Sequence, residues 1–565
     1  MSEPLTEPMT VRQATHEITN QVPVLEDLNL FTADLALEEA VTREGGAAAL
    51  KELRAFGLVT GSAEAFEQGR LANEYPPRLR THDSRGRRID LVEFHPAYHT
   101  LMETSFREGL HSPVAHGSGR QAPSPRPGGH VIRAAGLYMA AQMEAGHCCP
   151  ITMTAAAAAS IAQEPSLAKE WLPKIQSRTY DPHFAAIDLK SSATLGMALT
   201  EKQGGTDVRA NTTRAIPAGP RGPGGEYVLS GHKWFMSAPM SDAFLVLAQA
   251  EGGLSCFLMP RILPGGEVNP LNVMRLKDKL GNRSNATAEV ELAGCHAWLI
   301  GEEGQGIASI IETINSTRLD CAISSAGLMR LALSHAIHHA EHRKVFGRTL
   351  VREPLMAQVL ADLALDVEAA SALVFRLARA FDRASDVRAA AWRRLMTPVT
   401  KYWICKTAPH VAAEAMECLG GNGYVEESPL ARIYREVPVN SIWEGSGSVM
   451  ALDVLRVLQR EPTVAGTVME ELGLAAAGDA NLLAAHARLE AILQDPRLLD
   501  SRARMLVEGL ALLAAGSVLR AHASAAVADA FIATRLASGT GRTYGQGLER
   551  ADTAAIIRRA SPNRG

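Results

Sequence analysis

Residues 183–300 interrupt the pattern of the rest of the chain, and that interruption constrains the fold more than any other feature. On either side, apolar residues recur at helical spacing. Within it they come in short runs such as GEYVLSGHKWF, DAFLVLAQA, GLSCFLMP and ATAEVELAG, several of them alternating apolar and polar. Turn-rich segments such as IPAGPRGPGGE separate the runs. This order places an antiparallel β domain between helical ones. The expected organisation is a flexible tail over 1–20, a helical domain over 21–182, a β domain over 183–300, a helical bundle over 301–462 and a further helical module over 463–565. The Pro/Gly/Ser-rich stretch 113–130 reads as a loop or linker.

Composition narrows the function. A hydrophobic content of 46% supports large cores, and a net charge of −4 excludes a strongly basic nucleic-acid binder. Seven cysteines without a C-x-x-C spacing give no zinc or disulfide framework. They fit reduced thiols and a cytoplasmic location. The N-terminal residues carry acids and no apolar core of a leader. The longest uncharged run, Ala145 to Gln163, is rich in alanine and contains His147 and Pro150. It reads as a buried helix, so no membrane partner is expected.

One stretch raises a chemical question. VPVNSIWEGSG at 437–447 isolates Glu444 between a tryptophan and a Gly-Ser-Gly turn, ahead of the helical VMALDVLRVL. An acid favoured by the helix dipole at an N-terminus is one reading. A general base in a partly apolar pocket is the other. Other fragments are equally open alone. GMALTEKQGGTD at 196–207 offers hydroxyls at Thr200 and Thr206 and close backbone approach at Gly204 and Gly205, or simply a surface turn. KWFMS places Phe235 and Ser237 at a strand end. HRKVFG puts Arg343 and Phe346 at i,i+3, which on a helix is one face. LGGNGY supplies a further glycine-rich approach. His95 and His99 have the i,i+4 spacing of two metal ligands, but no third ligand is near and Pro96 marks a helix start. A structural role is expected there and no metal site.

Taken in order, T-E-x-x-G-G-T-D, K-W-F-x-S, L-G-N-R-S-N, R-x-x-F-G, L-G-G-x-G-Y and I-W-E-G-S-G resemble the acyl-CoA dehydrogenase family over about residues 130–460. ALEEAVTREG, GRLANEYPP, EAGHCCPITMT and REVPVNSIWEGSG resemble its AidB branch, the adaptive-response proteins of alkylation damage. With these the resemblance spans nearly the whole chain, the extra module included.

The resemblance implies a multidomain α+β fold with an N-terminal helical domain, an antiparallel β-barrel-like middle domain, a C-terminal helical bundle and an extra helical module. It implies FAD as cofactor, an acyl-CoA substrate such as a short branched acyl group, electron-transfer flavoprotein as an acceptor, and a homotetramer. Glu444 matches the catalytic base. Met197, Leu199, Thr200, Gly205, Thr206, Phe235 and Ser237 match residues around the flavin. Ile442, Trp443 and Ser446 match the turn beside it. Arg343 and Phe346 match a pair that reaches a neighbouring subunit's FAD, and Gly420 and Gly421 match contacts to its nucleotide half. Pro354 and Glu417 depart from the family, which commonly has glutamine at both positions.

The same branch suggests a second function, contact with double-stranded DNA without sequence preference. The stretch 535–565 holds six arginines, among them Arg535, Arg542, Arg558 and Arg559, against two acids. Arg78, Arg80, Arg85, Arg87 and Arg88 form another basic cluster, expected in a loop. Both stretches could equally be solvated surface.

Overall fold

The computed structural model describes residues 15–112, 126–494, 496–537, 544, 548 and 550–562. Most of the expected tail, most of the 113–130 loop, and Arg542 lie outside these residues.

The first helical domain runs from Leu35–Val41 to Pro165–Ile175 and includes Gly129–Met143 and Cys148–Ile161. Its basic cluster is not a loop. Arg78–His82 pairs antiparallel with Arg88–Glu93, because RLRTH and RIDLVE alternate with period two. Asp83 Oδ1 closes the turn, accepting from the N–H groups of Arg85 and Arg87. His95 caps the helix that starts at Pro96, and His99 bonds the Tyr180 hydroxyl at 3.0 Å.

Seven strands form the β domain, in the order Leu195–Ala198, Glu226–Ser237, Arg214–Pro217, Ala243–Ala250, Gly253–Pro260, Thr287–Ile300, Leu271–Leu276, with cross-pairings that curl it towards a barrel. It is not wholly antiparallel. Leu195–Ala198 lies parallel to Ala243–Ala250, since the intervening chain crosses over before returning. The apolar run AFLVLAQA follows from burial on both faces. Ala243, Leu245 and Leu247 face the helices, whereas Phe244, Val246 and Ala248 fill the interior of the sheet.

The long helices Gly306–His342, Pro354–Asp382 and Val387–Cys418 build the C-terminal bundle, with Pro429–Asn440 and Gly447–Arg460 packed on them. The expected helix through Arg343 and Phe346 ends early. Arg343 is extended, and Lys344–Val345 pairs with Arg348–Thr349 across a two-residue turn. Phe346 and Gly347 form that turn, with φ of 51° and 82°, values that no helix accommodates.

The extra module, from Pro462–Ala476 to Thr553–Ala560, joins the same hydrophobic core. Its helix Leu499–His522 is long and apolar enough to cross a membrane. It is instead the packed centre of the module, with Leu506, Val507, Leu510, Leu513 and Ala514 buried. Two of the arginines expected to face DNA dock this module inward. Arg535 pairs with Asp362 at 2.6 Å and Asp366 at 3.0 Å. Arg559 pairs with Glu368 at 2.9 Å and with Glu39. Arg558 is exposed.

Candidate active site

Pro429–Asn440 ends just before the acid of interest, and Gly447–Arg460 begins just after it. Between them Glu444 and Gly445 both take left-handed backbone conformations, with φ of 57° and 107°. A non-glycine residue held there is strained and needs outside support. That support is extensive. Lys401 Nζ donates to the carbonyls of Trp443 at 2.7 Å and Gly445 at 2.6 Å. Arg318 Nε donates to the Glu444 carbonyl at 3.0 Å, and Asp453 fixes Arg318 at 2.6 Å. The Trp443 indole donates to Asn440 Oδ1 at 2.9 Å.

The Glu444 side chain does not cap the following helix. Its Oε2 accepts from the Thr317 hydroxyl at 2.9 Å, on the long helix Gly306–His342. Burial pushes its pKa up, opposed by the Thr317 bond and by the cations Arg318 and Lys401. The residue as a whole is half-buried. A carboxylate whose proton affinity is raised by burial is what a general base requires, and Glu444 makes no capping bond to the helix that follows.

Across from it, the ends of three strands come into register. Met197 faces Ser237, and Ser237 faces Thr287. Leu199 and Thr200 continue beyond Met197, and the Trp234 N–H donates to the Thr200 carbonyl at 2.9 Å. A Cβ on Gly205 would lie 2.4 Å from the Thr200 hydroxyl, so this turn requires glycine. Thr206 is exposed, and Phe235 is 48% exposed beside Lys277. Cys149 joins this row to the base. Its thiol lies against Ser237 and Asn285, near enough to Lys279 and Glu444 to respond to both, and burial raises its pKa to about 11. Burial lowers the Lys279 amine to about 8 while it donates to the Asn285 carbonyl at 2.6 Å and Thr287 Oγ1 at 3.0 Å. Met197 and Cys149 share a hydrophobic cluster against which Leu199, Ile314 and Trp443 pack. An open cavity of about 540 Å³ is lined by Arg209, Gln249, Leu254, Gln305, Ile307 and Ile311. Ile311 is six residues before Thr317, roughly 9 Å along the same helix.

Comparison with known proteins agrees with this architecture. "Adaptive response protein AidB N-terminal domain" matches residues 20–182, "Acyl-CoA dehydrogenase, middle domain" residues 196–295 and "Acyl-CoA dehydrogenase, C-terminal domain" residues 304–459. AidB of Escherichia coli (strain K12) is 47% identical over 92% of this chain and 94% of its own length. The chain belongs to the acyl-CoA dehydrogenase family. Acyl-CoA dehydrogenase family member 11 of Caenorhabditis elegans is 33% identical over 71% of this chain and 66% of its own length. The crystal structure of Caenorhabditis elegans ACDH-11 in complex with C11-CoA superposes with a TM-score of 0.81 at 27% identity, covering 98% of this chain and 95% of that one.

The acyl-CoA dehydrogenase motifs do not all meet within one chain. Arg343 lies 26 residues beyond Thr317, roughly 39 Å by helical rise. Gly420 and Gly421 lie past Cys418, itself 17 residues, roughly 25 Å, from Lys401 along one helix. A Cβ on either glycine would meet nothing within 4 Å, so their backbone is open to a ligand. Ile442 and Ser446 are exposed on the turn, and Glu417 points to solvent. Pro354 begins its helix, where its missing N–H costs nothing. The hydroxyls of Thr200, Thr206 and Ser237, the open glycines and the accessible Phe235 suit a flavin nucleotide.

Thr317, Arg318, Lys401 and Cys149 were not singled out by sequence reasoning. Each touches the site from a helix remote in sequence, and only the neighbouring T-R and C-C pairs hint at them.

Proposed function

We propose that the protein is an FAD-dependent acyl-CoA dehydrogenase in which Glu444 takes the proton α to the thioester carbonyl. The Glu444 carboxylate carries this reading: its proton affinity is raised by burial, and its turn is fixed by three hydrogen bonds, from Arg318 to its own carbonyl and from Lys401 to the carbonyls on either side. A thioester α-proton is weakly acidic, so the base must be held at a defined position. Lys401 and Arg318 supply that positioning. Trp443, Cys149 and Leu199 exclude water around it. FAD, when bound, accepts the hydride from the β carbon. Met197, Leu199, Thr200, Gly205 and Ser237 hold its ring system, and the 540 Å³ cavity takes the CoA portion, with Arg209 available to a phosphate. ACDH-11 was crystallised with C11-CoA, so acyl groups longer than the short branched class belong in the substrate panel. The electrons leave to an acceptor of the electron-transfer-flavoprotein type.

The working unit is a homotetramer. The distance separating Arg343 and Phe346 from Glu444 supports a site completed by a neighbouring subunit, as does the 96% exposure of Phe346. Seven buried, unpaired cysteines support a cytoplasmic location. Purified protein should be yellow, release FAD on denaturation, and bleach with at least one saturated acyl-CoA. Colourless protein that takes up no FAD refutes the assignment.

A second reading, contact with duplex DNA through phosphates, rests on the hairpin 78–93. Arg78 and Arg85 are exposed there and have no carboxylate partner among the described residues. Arg558 and Arg542 remain candidates from the module. Gel shift at low salt tests it: a salt-sensitive, sequence-independent shift supports it, and none at micromolar protein refutes it.

A further inference from the structure

Asn20 and Lys344 are 324 residues apart, yet Asn20 satisfies Lys344 as a neighbouring strand would. Its Nδ2 donates to the Lys344 carbonyl at 2.8 Å, and its Oδ1 accepts from the Lys344 N–H at 2.8 Å. The Asn20 carbonyl accepts from the Arg343 guanidinium at 2.6 Å. Three residues on, the Pro23 carbonyl lies 2.8 Å from His338 Nε2, which ties the same segment to the helix that leads into the hairpin. Asn20 has a φ of 55°, a left-handed conformation that asparagine tolerates better than most residues.

The hairpin needs such help. It has two residues per strand, and an isolated pair of that size is not stable in water. Its tip places Phe346 in a left-handed conformation that strains a bulky side chain, and leaves the ring in solvent. The Leu350 N–H to Arg343 carbonyl bond at 2.9 Å joins the two strands at their base. Asn20 satisfies the outer edge of the first strand. The guanidinium of Arg343 is therefore aimed by the N-terminal segment and not by the helix it follows.

We propose that Asn20 is a positioning residue: its amide serves as a one-residue third strand that fixes the 343–349 hairpin, so that the N-terminal segment controls how firmly a neighbouring subunit retains FAD. This rests on the reading that the hairpin completes a neighbour's FAD site. Its distinct content is that the segment Asn20–Pro23 sets the hairpin's geometry.

The test uses the full-length FAD-loaded protein and three variants. Asn20→Gly keeps the left-handed backbone and removes both side-chain bonds. Asn20→Asp keeps the acceptor and loses the donor. Phe346→Ala removes the tip. Hydrogen exchange at the Lys344 amide and the rate of FAD release are measured on each. In Asn20→Gly the Lys344 amide should exchange about tenfold faster, the scale of one lost hydrogen bond, with FAD release several-fold faster. Asn20→Asp should fall between Asn20→Gly and the parent. Melting temperature should stay close to that of the parent, because no core contact is lost. If Phe346→Ala speeds FAD release and Asn20→Gly changes neither exchange nor release, the proposal is overturned while the hairpin reading stands. If Phe346→Ala leaves FAD release unchanged, the hairpin reading falls and the proposal falls with it.

Discussion

Replacing Thr317 by valine keeps the shape of a buried side chain and removes one hydroxyl from Glu444. The magnitude follows from where that hydroxyl's single proton can go. Thr317 Oγ1 lies 2.9 Å from both Glu444 Oε2 and the Ile314 carbonyl. When Glu444 is ionised, the hydroxyl donates to it, a charge-assisted bond worth about 2 kcal/mol. When Glu444 is protonated, the hydroxyl's proton goes to the Ile314 carbonyl instead, a neutral bond worth about 1 kcal/mol. Only the difference, about 1 kcal/mol or roughly fivefold, favours the carboxylate. The hydroxyl lowers the base's pKa, so losing it raises that pKa further above the ordinary carboxylate range. The acidic limb of the rate profile should then move to higher pH. Below the limb the rate should fall roughly fivefold, and on the alkaline plateau it should be nearly unchanged. Stopped-flow bleaching of the flavin by an acyl-CoA, followed across the acid range, measures it. An unmoved limb, or one displaced to lower pH, refutes the assignment of Thr317 as a donor to the base.

Lys401→Met should lower kcat at least tenfold with little change in KM, because the carbonyls of Trp443 and Gly445 lose their anchor while the substrate cleft is untouched; steady-state assays with an artificial acceptor check this. Arg559→Gln should destabilise the fold by about 2 kcal/mol in denaturant titration, since it strips a partner from buried Glu368, and should leave any DNA gel shift unchanged.

The layout of helices around a β domain was legible because period-two and period-3.6 patterns differ over long stretches. Glu444 stood out as a candidate base because W-E-G-S-G keeps the isolated acid within one turn of the aromatic and the glycines, and the family resemblance, not the stretch alone, favoured that role. The supports of the base were not, because Thr317 lies 127 residues from Glu444 and Lys401 lies 42 from Trp443, and no local pattern links them. The hairpin at Arg343 was misread because HRKVFG carries helix-compatible residues up to the glycine. Its turn depends on Phe346 accepting a strained conformation, which propensity argues against. The arginines of 535–565 were counted as free charge, although Arg535 and Arg559 meet carboxylates brought from residues 39, 362, 366 and 368 by tertiary packing. Charge counted along a sequence cannot register such pairing.

The central claim is that Glu444 is the base, and Glu444→Gln tests it most directly. The amide keeps the volume and can still accept from Thr317, but it cannot take a proton. Single-turnover bleaching of bound FAD by excess acyl-CoA, compared with the parent protein, should show an unchanged resting flavin spectrum and reduction slowed by about 100-fold or more. Reduction at the parent's rate would assign the proton to another residue and contradict the account.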